Sequence, residues 1–262
     1  MINPEQQDWS LRQFFDHYTQ KVEAKEPFAF VRWGDGEIAV AMGHSVGEQS
    51  LVNQNKEWVF KEGGNSKLGY ALRQSLASQG PDVHYGIPCR CCAAQWEHEV
   101  MVNSVQNSPL APNTVFGNAA YHWFIDWIKT LDQKGITVSL VANYLGMANR
   151  EKYPFKVTRF HPVPSNCIEE FERDGDKLVD DVVDFAKSVN GHFVMVAAGP
   201  MSEVFITEMW KANPHNIYFD VGSSLDVYTK AGVLNGTRPH HDPNNPYAKV
   251  ECRMSGPFNR PN

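Results

Sequence analysis

Two periods of apolar residues alternate along this chain of 262 residues. Leu11, Phe14, Phe15, Tyr18 and Val22 keep helical spacing, which predicts an amphipathic helix over about 8–25 with Asp8 as its N-cap. Phe28–Trp33 then reads as a short buried strand. A helix over Ser66–Ser78 precedes a strand at Asp82–Ile87, and a helix over Ala93–Val105 precedes a strand at Thr114–Phe116. His122–Leu131 reads as a helix with Gly135 as its C-cap, followed by the β-branched, apolar run Ile136–Ala142. Val157–Phe160 is expected to be a strand, and Ile168–Val189 a helix with Asn166 near its start. The pattern closes with a strand at His192–Ala198, a helix at Met201–Lys211 and a strand at Ile217–Val221.

Strands that alternate with helices over most of the length predict an α/β fold with a mostly parallel sheet flanked by helices. No repeat, low-complexity segment or long linker divides the chain, so residues 1–262 are read as one domain with a loop-rich tail from about 236. Ligands of such sheets bind beyond the carboxyl ends of the strands. Loops that follow strands therefore come first in the search for chemistry.

Composition narrows the partners. A net charge of −6 disfavours a polyanion such as nucleic acid as the main partner, and leaves room for a local basic pocket. No run approaches the roughly 18 apolar residues of a membrane helix. The polar start, MINPEQQDWS, is not expected to be a signal peptide. The cysteines are Cys89, Cys91, Cys92, Cys167 and Cys252; an odd number with three crowded together suggests reduced thiols in the cytoplasm. Cys89-x-x-Cys92 lacks the second pair of a zinc site, with only His98 nearby, and reads as inert thiols.

Four segments carry candidate chemistry. In Arg32-Trp33-Gly34-Asp35-Gly36-Glu37 a strand ends in a cation and a glycine-flanked loop holds two carboxylates. Hard oxygen ligands beside a cation suit a divalent metal that also takes phosphate oxygens, and the glycines let backbone N–H groups approach an anion. A polar turn with Arg32 paired to Asp35 is the structural alternative. At Gly199-Pro200-Met201-Ser202 a strand meets a helix N-terminus, suited to phosphate or a nucleotide hydroxyl, or forms an ordinary turn. In Asp220-Val221-Gly222-Ser223-Ser224-Leu225-Asp226, Asp220 can bind a sugar hydroxyl and Asp226 can act as general base, or Asp226 and Ser224 cap the next helix.

The fourth segment is Arg238-Pro239-His240-His241-Asp242. Arg238 can hold a diphosphate bidentately. Neighbouring histidines on an extended backbone point apart, so with Asp242 they offer one ligand or one base, unless the segment is a surface tail. Lys67, after Gly63-Gly64-Asn65-Ser66, is either a phosphate lysine or a solvated helix-start residue; the Walker spacing is absent. Neither G-x-S-x-G nor H-E-x-x-H occurs, which disfavours the hydrolases that carry them.

Taken in order, these segments resemble a family. Arg32–Glu37 is similar to the R-[FY]-G-D-G-E signature of GT-D type glycosyltransferases, with Trp33 where the signature carries Phe or Tyr. The later Val194–Glu203 and Phe219–Ser223 segments are similar to that family's later ones, so the resemblance spans about residues 28–230. It implies a Rossmann-like fold and metal-dependent transfer of a sugar from a nucleotide-diphosphate donor, a UDP-sugar favoured, to a hydroxyl of a glycan acceptor. It further implies Asp35 and Glu37 as ligands of Mn2+ or Mg2+. Arg32, Gly34, Gly36, Lys67, Gly199, Pro200, Ser202, Asp220, Gly222, Ser223 and Arg238 are the expected donor-binding residues. The base is expected at Asp226, with Asp220 and His241 behind it. The alternatives are another Rossmann-like enzyme, such as a methyltransferase using S-adenosylmethionine, and a non-catalytic nucleotide- or sugar-binding module.

Overall fold

The computed structural model describes residues 11–44, 66–87, 95–113, 121–165 and 167–229. Within them seven strands pair in parallel throughout, in the order β3-β2-β1-β7-β6-β4-β5. The strands are β1 (Phe28–Arg32), β2 (Val83–Ile87), β3 (Leu110–Pro112), β4 (Val138–Asn143), β5 (Val157–Val163), β6 (Phe193–Ala197) and β7 (Ile217–Asp220). The helices are α1 (Leu11–Glu23), α2 (Asp35–Ala41), α3 (Lys67–Leu76), α4 (Gln95–Ser104), α5 (Tyr121–Gln133), α6 (Cys167–Lys187), α7 (Ser202–Ala212) and α8 (Asp226–Thr229). Short 3-10 segments occupy Tyr144–Lys152, Gly199–Met201 and Gly222–Leu225. Among the described residues no helix is long and apolar enough to cross a membrane.

The central strands are buried along almost their whole length, as expected for a parallel sheet covered on both sides. Strand alternation sorts their side chains by size. Ala29, Val31, Val194 and Val196 face α2, α3, α6 and α7, where Ile38, Leu72, Phe171 and Phe205 complete one core. Phe28, Phe30, Phe193, Met195 and Phe219 face α1 and α5, where Phe14, Tyr18, Phe124 and Trp127 complete the other. These are called here the aliphatic and the aromatic face. Phe219 is the hub of the aromatic face: it stacks on Phe30 at 4.7 Å and meets Tyr18 at 5.3 Å and Trp127 at 5.4 Å.

The expected alternation holds, with local corrections. The third strand is Leu110–Pro112, four residues before the expected Thr114–Phe116, which lies outside the described residues. An edge strand tolerates proline, and this one carries Pro112. The D-G-E segment opens helix α2 and is not a loop. Gly36 argued against a helix, yet Gly34 at the N-cap and acids in the first turn are ordinary start signals. The 3-10 segment at Tyr144–Lys152 was not expected at all. Gly135 takes the left-handed conformation (φ 78°) after α5, as predicted for a C-cap.

Phe219→Ala is expected to cost about 3–5 kcal/mol in urea unfolding, the loss typical of a buried aromatic truncated to Ala. A loss below about 1 kcal/mol would contradict its central place in the aromatic core.

Candidate functional site

The site grows out of the end of β1. The Trp33 N–H donates to the Gly86 carbonyl at 2.8 Å, and the Asn113 side-chain amide donates to the Trp33 carbonyl. Both ends of that residue are thus tied to neighbouring strands before the chain turns. Trp33 is fully buried in the aliphatic core, so the departure from Phe or Tyr at this position changes packing and leaves no indole face to a ligand. At Gly34 the backbone is extended (φ −100°, ψ 178°) and caps α2.

Glu37 sits at the third position of α2 with 2% exposure, and its carboxylate lies back over the cap. A Cβ on Gly34 would stand 2.6 Å from Glu37 Oε2, so this fold of the side chain requires glycine. The placement is that of the acidic residue in a capping box. Asp35 is the first residue of the same helix.

Arg32 reaches from β1 to the end of β7. Its Nε lies 4.0 Å from Asp220 Oδ1, which also accepts the Gly222 N–H at 2.8 Å. Gly222 has a φ of 51°, and a Cβ there would come 2.6 Å from Arg32 Nη2 and 2.7 Å from Cζ and Nε. The guanidinium is therefore packed flat on the backbone of the loop after β7. Burial pushes the Asp220 carboxyl up to about 6; Arg32 and the Gly222 N–H oppose this, and burial wins.

Glu203 completes the cluster from the first turn of α7. It is fully buried, and neither carboxyl oxygen has a hydrogen-bond partner among the described residues. Burial, with Glu37 and then Asp220 as neighbouring negative charges, holds its carboxyl well above the ordinary range and outweighs Arg32. Glu203 thus lies within the electrostatic reach of Glu37, Asp220 and Arg32. Sequence reasoning missed Glu203, because an acid in the first turn of a helix is ordinary. Its signal was adjacency to the Gly199–Ser202 turn.

Topology explains the location. β1 exits into α2 on the aliphatic face, whereas β7 exits through Gly222–Leu225 onto the aromatic face. β6 and β4 diverge likewise, into α7 and into Tyr144–Lys152. Such divergence opens a slot beyond the carboxyl ends of the strands. Its aliphatic-face lip carries the N-termini of α2 and α7 and its aromatic-face lip carries α8 and the 3-10 segment.

The other expected residues fall as follows. Gly199 takes φ 58° and Pro200 is buried in the 3-10 turn. Ser202 Oγ accepts the Ala198 N–H at 3.0 Å, closing that turn, and the side chain is buried. Ser223 is half-buried, and Asp226 opens α8 at 9% exposure. Lys67 is exposed at the start of α3, where Glu172 accepts the N–H groups of Lys67 and Leu68 at 3.0 and 2.9 Å. Asp8, Cys89, Cys91, Cys92, Arg238, His240, His241, Asp242 and Cys252 lie outside the described residues. An open depression of about 520 Å3 bordered by Asp132, Arg150, Tyr153 and Lys156 lies where β5 begins, at the opposite end of the sheet from this cluster.

The donor set at the head of β1 is all oxygen, and buried carboxyls outnumber the guanidinium, which fits a hard divalent cation. No group of three His, Cys, Asp or Glu poised to hold a metal occurs among the described residues.

No protein-family model and no curated protein matches this sequence. Solved structures do match in fold. A selenomethionine-substituted domain of unknown function 1792 is 15% identical, with a TM-score of 0.55 over 86% of this chain and 83% of that one. A second structure of that domain, described as having a distinct glycosyltransferase fold, is 16% identical with the same TM-score of 0.55 and the same coverage of 86% and 83%. A glycosyltransferase of this domain type from Streptococcus sanguinis is 15% identical, with a TM-score of 0.53 over 85% of this chain and 84% of that one. The fold is thus α/β and Rossmann-like, as the sequence resemblance implied, and is similar to that of a domain described as having a distinct glycosyltransferase fold.

Two outcomes follow from the cluster. Gly222→Ala is expected to cost about 1–2 kcal/mol from its left-handed backbone, with a further loss from displacing Arg32; unchanged denaturant stability would contradict the packing described. The carboxyls of Glu203 and Asp220 hold protons to higher pH folded than unfolded. Their contribution is therefore present below the unfolded carboxylate range and declines as pH rises through it toward about 6 at Asp220. Glu203→Gln removes one such group, so its melting temperature relative to the parent is expected to climb between about pH 5 and pH 7. A pH-independent difference would show that Glu203 is ionised in the fold.

Proposed function

We propose that this chain is a metal-dependent glycosyltransferase that moves a sugar from a nucleotide-diphosphate donor, a UDP-sugar favoured, to a hydroxyl of a glycan acceptor. The observation that carries the reading is the Arg32–Asp220–Gly222 arrangement, which fixes a guanidinium at the mouth of the slot in a fold shared with a glycosyltransferase. The cysteine usage supports a cytoplasmic setting.

In this reading the donor diphosphate lies along the aliphatic-face lip. Arg32 and the N–H groups at the start of α2, beside Gly34 and Gly36, face the charge that develops on the leaving diphosphate. The turn of Gly199, Pro200 and Ser202 supports the neighbouring part of the donor, and Gly222 and Ser223 line the end of β7. Asp35, with Glu37, would hold Mn2+ or Mg2+. When bound, the cation supplies Lewis-acid neutralisation of the diphosphate oxygens. Glu37 lies against the cap of α2.

In the transfer, the anomeric carbon–phosphate oxygen bond breaks with its electron pair leaving on the diphosphate. The acceptor oxygen bonds the anomeric carbon, and its proton passes to a carboxylate. Asp226 is the proposed base, because it opens α8 on the lip opposite the donor groups. Asp220 is engaged by Gly222 and Arg32, which suits orientation of the guanidinium better than proton transfer. His241, and Arg238 as a second diphosphate ligand, remain part of the proposal from sequence alone.

Titration calorimetry with UDP, GDP and S-adenosylmethionine, each with and without manganese, tests the reading. Binding of one nucleoside diphosphate is expected to need manganese and to weaken at least about tenfold in Asp35→Ala/Glu37→Ala. Manganese-independent binding that the double variant leaves unchanged would reduce the D-x-E segment to a helix cap. Binding of S-adenosylmethionine in place of a diphosphate would replace the transferase by a methyltransferase.

A further inference from the structure

The aromatic-face lip carries a feature that the donor reading leaves unused. In the 3-10 segment Tyr144–Lys152, residues three apart share a side up to Asn149, where the helical backbone breaks (φ −106°, ψ 16°). Gly146 and Asn149 form the inward side: Asn149 Nδ2 donates to the Tyr228 carbonyl at 3.0 Å, and a Cβ on Gly146 would come 3.0 Å from Thr229 Cα. The segment is therefore seated directly on α8, the helix that Asp226 opens. Tyr144 and Met147 form the outward side, 53% and 44% exposed.

The segment is also held at its start. Asn143 Oδ1 accepts the Leu145 N–H at 3.0 Å, and Asn143 Nδ2 donates to Ser165 Oγ at 3.0 Å. A large ring and a thioether are thus displayed side by side on an anchored turn, at the point where β4 leaves the sheet toward the face opposite to β6. Neither side chain packs into the core. Nothing in the local fold calls for apolar residues there, since an exposed turn is ordinarily polar.

The two lips differ in chemistry. The aliphatic-face lip offers helix N-termini and Arg32, which suit an anion. Tyr144 and Met147 offer an uncharged flat surface next to the helix that carries the proposed base. A pyranose ring has one polar edge and one face of C–H groups, and that face stacks on an aromatic ring. We propose that Tyr144 and Met147 form the acceptor subsite, a platform for the sugar ring whose hydroxyl is glycosylated. The assignment rests on the transferase reading, and it separates the reactants: donor diphosphate on one lip, acceptor sugar on the other, Asp226 on the acceptor side.

The test compares the parent with Tyr144→Ala, Tyr144→Phe and Met147→Ala, using a panel of p-nitrophenyl pyranosides as acceptor probes. Acceptor KM, donor KM and manganese-dependent UDP or GDP affinity are measured for each. Tyr144→Ala is expected to raise acceptor KM about 3–10-fold, the size of one aromatic contact, with donor KM and nucleotide affinity unchanged. Tyr144→Phe keeps the ring and is expected to keep the parent KM. Weakened nucleotide binding in Tyr144→Ala with an unchanged acceptor KM would overturn the proposal by placing the nucleobase on the platform. Unchanged values for both substrates would overturn it as an idle surface. A parent that hydrolyses the donor, yet neither uses nor is inhibited by any pyranoside of the panel, would overturn it too, pointing to an acceptor that is not a sugar. A parent that binds no nucleoside diphosphate at all would instead sink the transferase reading itself, and this assignment with it.

Discussion

The contact of the Arg32 guanidinium with Asp220 and the loop after β7 governs the mouth of this sheet. Arg32 is pressed flat against the backbone at Gly222, and Asp220 is engaged by the same loop. Removing charges from water is costly, and burial accordingly raises the carboxyls of both Glu203 and Asp220. The contacts demand two special backbone positions. Gly34 makes room for the Glu37 carboxylate, and Gly222 makes room for Arg32. The cluster is thus built by backbone geometry as much as by charge.

The sheet supplies the rigidity that such a cluster needs. β1 and β7 are adjacent, parallel and buried on both faces, so Arg32 and Asp220 are presented from two firmly supported strand ends. Aromatic packing around Phe219 fixes β7 from one side, while α7 contributes Glu203 from the other. Asn113 ties the exit of β1 to the end of the edge strand β3.

The slot has two unlike sides because neighbouring strands leave the sheet in opposite directions. Helices that follow strands on the aliphatic face bring their N-termini to the rim, with free N–H groups and a positive dipole end. The aromatic face receives instead a short helix and a 3-10 segment. In the proposed reading a charged donor and an uncharged acceptor meet matching surfaces across the gap.

Hydrophobic periodicity along the chain determined the alternation of strands and helices, and hence a parallel sheet with its ligands at the carboxyl ends of the strands. Local chemistry likewise marked Arg32, Gly34, Asp220 and Gly222, because a cation, an acid or a glycine straight after a buried strand is conspicuous in one dimension. The D-G-E segment was read as a loop, since Gly36 and the close pair of acids fit a turn as well as a first helical turn, and only packing against the sheet decides between them. Glu203 and the Tyr144–Met147 pair were invisible for a different reason. An acid early in a helix and two apolar residues in a connection are unremarkable until the strand order is known. That order puts Glu203 beside Glu37, 166 positions earlier in the chain, and seats the 3-10 segment on α8, about 80 positions later. Contacts across such separations depend on which strands lie side by side. Periodicity carries no information about that, so the tertiary structure alone could decide it.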